Sequence, residues 1–586
     1  MKKILTYCFS LVFMFAFSQQ NYTLNIEWVD TVPQFKYKVK EMHKTAQSVE
    51  DECAELVYKL RNLGYATASL DTLVKDSLVY TAYIFVGNKF EISGIQNGNI
   101  KTKFWKKHKS KVLKNPKLED VVAFQVSILK EYENNGWAFA QVYLDEIAID
   151  KNNSFSAKVF VNKHDSIIID SVVVHGETKT KSKFMQRYLG IMKDDIFSQK
   201  KINNISKKIN QLPYLSETEP SKLYFKPGYV DVHLYLRKQK SNQFNLILGV
   251  LPNNQLTNGK KVTITGEGKL HLQNQFGVGE ELFAEFRQVK PRTQNLDIEL
   301  SYPYFINLPL GIYSKFNLYK NDSIFVDIKP EVGVMYQFGG FNRLKMFYKN
   351  KTSNILNADT SEIKSTGLLP AVLDIRNNQY GLSLELQKLD YVLNPRKGYD
   401  IDIYGQVGIN KIKVNQSVAN LIAYDGKPLR NQYDSLKLNK VNYTLGFSVS
   451  GFIPLRKRWA FLLRNESAFY IAKNVLTNEK FRIGGYRHLR GFDEEAIYTP
   501  YYSIFTTEIR FLLSKNSFFN MFSDIALVED ERYGAGYVDV PIGFGVGVAV
   551  ETKAGIFNLS YALGKNLNNK IQFRNGKIHF GFVSLF

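Results

Sequence analysis

Arg490, Glu508 and Asp524 are residues whose types and spacing could build a fixed ionic clamp. A guanidinium presents its donors in one plane and can bridge two carboxylates with a geometry that a lysine ammonium cannot reproduce. Gly491, next to Arg490, permits a tight fold-back that a Cβ would block, and Gly484-Gly485 stand just upstream. Alone, an Arg-Gly pair reads as a surface turn. With paired glycines before it and two carboxylates after it, it reads as a loop tip pinned to a wall. A second set is basic: Lys101, Lys103, Lys106, Lys107, Lys109, Lys111 and Lys114 surround Phe104 and Trp105. Anionic lipid headgroups or an acidic client would attract such a cluster at about 1 kcal/mol per basic residue near a charged surface. The plainer reading is a solvated helix–loop face.

Nothing in the chain is arranged for catalysis. Gly446-Phe447-Ser448-Val449-Ser450 fails the nucleophile-elbow pattern at its fifth position. The eight histidines are scattered without metal-ligand spacing. Gly543, Gly545 and Gly547 recur with the period of a strand, not the strand-to-helix setting of a dinucleotide loop. No enzyme activity, cofactor or metal is expected.

Composition narrows what must position these residues. The chain has 586 residues, 77 Lys+Arg against 55 Asp+Glu, and a net charge of +22. Aromatics at 14% are too many for a disordered chain. Mean hydropathy is −0.24, and the one long apolar run lies at the extreme N-terminus, which excludes a polytopic helical membrane protein. That run follows Lys2-Lys3 and ends at Ala16-Phe17-Ser18, the pattern of a secretory signal peptide cleaved after Ser18. Its removal takes two lysines, leaving +20, and takes Cys8, leaving Cys53 without an intrachain partner. An exported chain does not meet nucleic acid, so the basic cluster is not read that way.

The exported part divides in two. Residues 60–70 are echoed by residues 132–142 at an offset of 72, with Gly64 and Gly136, Tyr65 and Trp137, and two alanines coinciding. Each copy follows a helical pattern, Cys53, Leu56, Val57 and Leu60 in the first, Val122, Phe124, Ile128 and Leu129 in the second. A third, divergent unit fits residues 165–240, with a strand at 167–174, a helix at 202–212 and alternating Val230, Val232, Leu234 and Leu236. The expected organisation is a signal peptide at 1–18, modules at 19–88, 89–164 and 165–240, and a β-domain at 241–586. In that last part apolar residues alternate with small or polar ones, as in Phe544, Val546, Val548 and Val550. A soluble sandwich would produce such alternation. So would a transmembrane barrel, with lipid on one face and a polar lumen on the other. Glycines on a solvent face would bring a sandwich no gain. The 346 residues, at roughly 20–22 per strand and turn, allow about sixteen antiparallel strands. Ile578, Phe580, Phe582 and Phe586 share one face of the last strand, which a closed barrel would pair at a seam with the first.

Residues 481–492, with Gly484, Gly485, Arg490, Gly491 and Phe492, resemble the Gly-Gly…Arg-Gly-Phe/Tyr loop signature of the Omp85 superfamily. Thr507-Glu508-Ile509-Arg510 and Phe522-Ser523-Asp524 resemble its Glu-x-Arg and Phe-x-Asp strands, and residues 394–399 a recurrent family turn. The resemblance covers the whole mature chain. It implies α+β periplasmic POTRA repeats followed by an all-β transmembrane barrel in the outer membrane of a Gram-negative-type bacterium. It also implies that the sixth extracellular loop enters the lumen, where Arg490 meets Asp524 and Glu508. The resemblance is to the BamA/TamA-like branch, whose members help fold and insert other barrels, and the three-module count is closer to the TamA-like members than to BamA-like ones, which usually carry five. The expected partners are therefore the outer-membrane bilayer, unfolded β-barrel clients and periplasmic or inner-membrane accessory proteins. A two-partner secretion pore is the alternative; such relatives carry two modules and a plug helix that residues 19–45 do not suggest. A plain porin or anchor would leave the modules and the Arg490 loop unexplained.

Overall fold

The computed structural model describes residues 21–33, 38–112, 116–151, 153–252, 262–290, 292–305, 310–339, 342–391, 393–436, 439–529, 536–566 and 571–585. The expected signal peptide at 1–18, Lys114 and Phe586 lie outside them. The described chain forms two compact units, one holding residues up to Asp170 with 194–203 and 225–230, the other holding the remainder through the barrel.

In the first unit, helix Ala46–Asn62 starts where the Thr45 hydroxyl accepts from the Ser48 amide at 3.2 Å. Val49, Cys53, Leu56, Val57 and Leu60 recur at three- and four-residue spacing and are buried. They cover a four-stranded sheet in which Tyr22–Trp28 runs parallel to Val79–Phe85. Gly64 and Gly136 follow the helix ends at φ +103° and +102°, a conformation that a Cβ disfavours. In the second module, helix Leu118–Glu133 packs on strands Glu91–Asn97, Gln141–Ile149 and Ser154–Asn162. Its buried stripe is Val121, Phe124, Ile128 and Tyr132; Phe124 and Ile128 are as read from the sequence, whereas Val122 is exposed and Leu129 only half-buried. Tyr132 sets that phase: its hydroxyl accepts from the Lys101 amide at 3.0 Å while its ring packs edge-on to Phe104.

The third sheet comprises Ile168–His175, Leu215–Lys226 and Tyr229–Lys238. The helix expected at 202–212 is instead two short ones, Gln199–Asn203 and Ile205–Ile209, broken at Asn203-Asn204. Asparagine competes with the helix by bonding nearby backbone. Helix Ser182–Leu189, absent from the sequence-based reading, closes on Gly190 at φ +68°.

From Gln243 the chain forms a closed antiparallel barrel. Val538–Asp539 and Ile542–Glu551 both pair with Phe518–Glu529 and form one strand interrupted at Pro541, so the barrel has sixteen strands. The first strand, Gln243–Pro252, pairs with the last, Lys577–Leu585, which leaves no edge. Side chains alternate strictly: Val332, Val334, Tyr336 and Phe338 face outward and exposed, while Met335 is buried inside. A row of exposed apolar residues would be an aggregation hazard in water and is the lipid face of a membrane barrel. No described helix is long and apolar enough to cross a membrane.

Candidate functional site: the loop inside the barrel

Residues 472–500 connect strand Trp459–Ile471 to strand Tyr501–Leu512 and fold back into the lumen. Their stem is a two-stranded ribbon, Phe481–Ile483 with Ile497–Thr499. Between its arms Gly484 and Gly485 adopt φ +120° and +88°. A Cβ on Gly485 would lie 2.0 Å from the Glu494 side chain, whose carboxylate accepts from the Tyr486 amide at 2.8 Å. The glycine pair therefore lets the turn close over its own acidic cap.

At the tip, Arg490 donates through Nε and Nη2 to the two oxygens of Asp524, both at 2.7 Å, and through Nη1 to Glu508 at 2.8 Å. Its guanidinium carbon lies 3.5 Å from the Phe522 ring centroid, a cation–π contact beneath the ion pairs. Asp524 also accepts from the Arg490 amide and from the Thr506 hydroxyl, and Glu508 from Arg510 Nε at 2.7 Å. Both carboxylates are buried, and fully hydrogen-bonded geometry of this kind is what makes a buried charge cluster tolerable. Arg490, Glu508 and Asp524 are thus brought together. Gly491 follows at φ +91°, where a Cβ would meet the Leu563 backbone at 2.4 Å. Phe492 packs into a small core with Ile483, Leu489 and Ile504.

Several contacts of the same loop were not read from the sequence. Arg487 pairs with Glu285 at 2.5 Å and with Glu267, reaching the early strands of the barrel. His488 Nδ1 lies 3.0 Å from Glu466, and Lys577 pairs with Asp493 at 2.6 Å. Arg482 stacks on Tyr319, 3.6 Å from the ring centroid, and the Tyr319 hydroxyl donates to Glu495 at 2.5 Å. The partners of Arg487 lie 202 and 220 residues away, and no local spacing announces any of these pairs. One signal was available: Gly543, whose Cβ would lie 1.9 Å from the Arg490 carbonyl, and Gly564, against Gly491, are bare wall positions on which the loop backbone rests. Of the period-two glycines of strand Ile542–Glu551, Gly543 makes room for that contact, while Gly545 and Gly547 face side chains and backbone of the neighbouring strands. Beside the loop, a lumen cavity of about 580 Å³ is lined by charged residues including Lys315, Lys329, Glu331 and Glu385.

The last strand places Ile578 and Phe580 on the lipid face, with Phe582 against Phe557 at 4.9 Å, and turns His579 inward onto Tyr486. Among the described residues it is paired over eight positions to the first strand and seven to its other neighbour; Val262–Gln273 and Glu281–Lys290 also pair over eight, and Ile375–Leu389 and Gly398–Ile412 over fifteen. In the second module, Lys101 lies over the Trp137 ring at 3.9 Å and Lys107 pairs with Glu131 at 2.5 Å. The Lys107 ammonium, hydrogen-bonded to Glu131, holds that carboxyl below its usual range. Lys103 and Lys106 are exposed, Lys109 is half-buried and Lys111 ends the turn that follows. Phe104 is buried and Trp105 packs on Phe124 at 5.4 Å, so both aromatics serve the module core, not a membrane surface. Among the described residues no group of His, Cys, Asp and Glu is arranged to hold a metal.

Three α+β modules, a closed sixteen-stranded barrel and a lumenal loop tied to the wall by Arg490 define an outer-membrane barrel protein with periplasmic POTRA modules. Residues 274–584 match the Omp85 superfamily domain and residues 167–239 the surface antigen variable number repeat, a POTRA module. The chain belongs to the Omp85 superfamily. Among solved structures, CdiB from Escherichia coli is similar at 11% identity over 92% of this chain and 97% of that one, with a TM-score of 0.55. CdiB from Acinetobacter baumannii is similar at 14% identity over 92% and 98%, with a TM-score of 0.54. BamA from Haemophilus ducreyi lacking POTRA domains 1–3 is similar at 13% identity over 84% and 100%, with a TM-score of 0.47. No curated protein matches the chain.

Proposed function

We propose that this protein is an assembly factor that helps fold and insert β-barrel clients into the outer membrane. The observation that carries the reading is the short pairing of the last strand on both its sides, eight positions on the seam side and seven on the other among the described residues. An incoming strand carries N–H and C=O groups that lipid cannot satisfy. A parted seam would offer it a template by β-augmentation, and the POTRA sheet edges would offer another in the periplasm. Gly581 and Ser584 keep the packing light within that strand, and a Cβ on Gly581 would meet nothing nearer than 3.5 Å. The lumenal loop is tied to both flanks of that seam, through Lys577 on the last strand and through Glu267 and Glu285 on the second and third strands, so parting the seam would have to release those ion pairs.

The test is a seam lock, Ile247→Cys with Gly581→Cys, at positions paired in register. Oxidation should halt the appearance of unrelated barrels in the outer membrane, and reductant should restore it. A secretion pore, which passes an unfolded exoprotein through the lumen, would tolerate the lock. Loss of one exoprotein from the medium with barrel levels constant would replace the assembly reading with that one.

A further inference from the structure

We infer that the periplasmic rim of the barrel carries a binding site for an anionic phospholipid, with Lys181 and Lys183 on its headgroup and a groove in the lipid-facing wall on its acyl chains. Two adjoining cavities carry the inference. One, of about 520 Å³, lies between helix Ser182–Leu189 and the rim and is bordered by Lys181, Lys183, Arg187, Phe184 and Tyr304. The other, of about 610 Å³, runs along the outer wall over Val332, Val334 and Met346. Leu300, Tyr302 and Ile312 line both, so a basic pocket continues into an apolar groove. That polarity fits a single amphiphile with an anionic end.

The groove has a structural cause. In register, Ser314 sits between Leu300 and Val332, a small residue in a row of bulky ones on the lipid face. The depth also fits. Tyr302 with Phe305, edge to face at 6.4 Å, and Tyr336 with Phe338, stacked at 6.1 Å, lie at the periplasmic strand ends, where aromatic girdles mark the headgroup level. The lysines are held at that level by the backbone beneath them. The Lys181 amide donates to the Gly277 carbonyl at 2.8 Å, and Arg187 Nη1 donates to the Tyr304 carbonyl at 2.8 Å. Gly279 has no Cβ because Phe184 occupies that space. Lys181 and Lys183 are exposed, and neither forms an ion pair with a described residue. Their charge is therefore left for a partner from outside the chain, and lipid is already present along the groove.

The full chain would be purified in neutral detergent and titrated with phosphatidylglycerol and with phosphatidylcholine, bound lipid being counted by native mass spectrometry. Wild type should retain phosphatidylglycerol in preference to phosphatidylcholine. At about fivefold per lysine, K181Q/K183Q should lose roughly 25-fold in affinity for the anionic lipid while keeping its heat-modifiable barrel mobility. S314W, which fills the groove and leaves both lysines, should also lose the lipid. Equal retention of both lipids by wild type, or wild-type retention by either variant, would overturn the site. Displacement of the lipid by inorganic phosphate at equal concentration would reduce it to a phosphate pocket and overturn the lipid assignment.

Discussion

Replacing Arg490 by alanine should free the lumenal loop from the barrel wall without unfolding the barrel. The side chain makes three charge-assisted hydrogen bonds of 2.7–2.8 Å and covers the face of Phe522. Removing one partner of a buried ion pair costs about 3–5 kcal/mol, because the charge left behind stays desolvated. Two features place this case at the low end. Asp524 keeps the Thr506 hydroxyl, and Glu508 keeps Arg510. A loss of about 3 kcal/mol corresponds to roughly a hundredfold shift between docked and released loop. Hydrogen exchange reads this directly, since the Arg490 amide itself donates to Asp524. Amides of residues 485–492 should exchange about a hundredfold faster in the variant, with strand amides of the barrel unchanged. Arg490→Lys should recover part of the protection, since an ammonium reaches one carboxylate without spanning both. Unchanged exchange in Arg490→Ala would mean that the remaining loop contacts hold it alone, and the clamp reasoning would fail.

Arg487→Ala should loosen the loop less and in a salt-dependent way, because Arg487 is partly exposed and its removal leaves Glu267 and Glu285 facing each other; exchange at low and high salt separates the two contributions. Gly491→Ala should lower the yield of folded barrel, since the new Cβ meets the Leu563 backbone at 2.4 Å and φ +91° costs an L-residue about 1–3 kcal/mol; heat-modifiable gel mobility measures that yield. Cys53 is fully buried, and desolvation with the neighbouring Glu52 pushes its thiol up to about 11. Because the unfolded thiol ionises near 9, the unfolded module releases a proton that the folded one keeps, so stability conferred by the neutral thiol is present below pH 9 and declines toward pH 11. Alkylation of Cys53 at pH 8 should accordingly require unfolding of the first module, and rapid modification of the native chain would contradict its burial.

The architecture was legible in the sequence wherever it rests on local periodicity. Strand alternation in a barrel reports lipid on one side and lumen on the other at each step, so the β-domain and its roughly sixteen strands could be read without any long-range information. The Gly64 and Gly136 echoes marked the ends of homologous helices because the positive φ there is a local demand. Where competing local choices were close, pattern reading slipped. In helix Leu118–Glu133 Phe124 and Ile128 were placed correctly, but Val122 and Leu129 were read where Val121 and Tyr132 are buried, because Tyr132 is anchored to the Lys101 amide from another segment. Residues 199–209 looked like one helix because the apolar spacing continues across Asn203-Asn204 while the backbone does not.

The site divides along the same line. Arg490, its glycine neighbours and the two carboxylates stand within a stretch of sequence short enough to suggest a clamp. Their bond geometry and the resting of the loop on Gly543 and Gly564 depend on how the barrel closes. The pairings of Arg487 with Glu267 and Glu285, and of Arg482 with Tyr319, join segments that are remote in the chain and adjacent across the lumen. The same holds for the rim, where Lys181 and Lys183 gain meaning from the Leu300–Tyr302–Ile312 wall beside them. By itself the sequence determined which residues face lipid, which face inward and where the chain turns, because each follows from the period of two and from glycine's backbone freedom. Which inward residues meet was decided by tertiary structure, because closing a sheet into a barrel sets distances across the lumen that no spacing along the chain encodes.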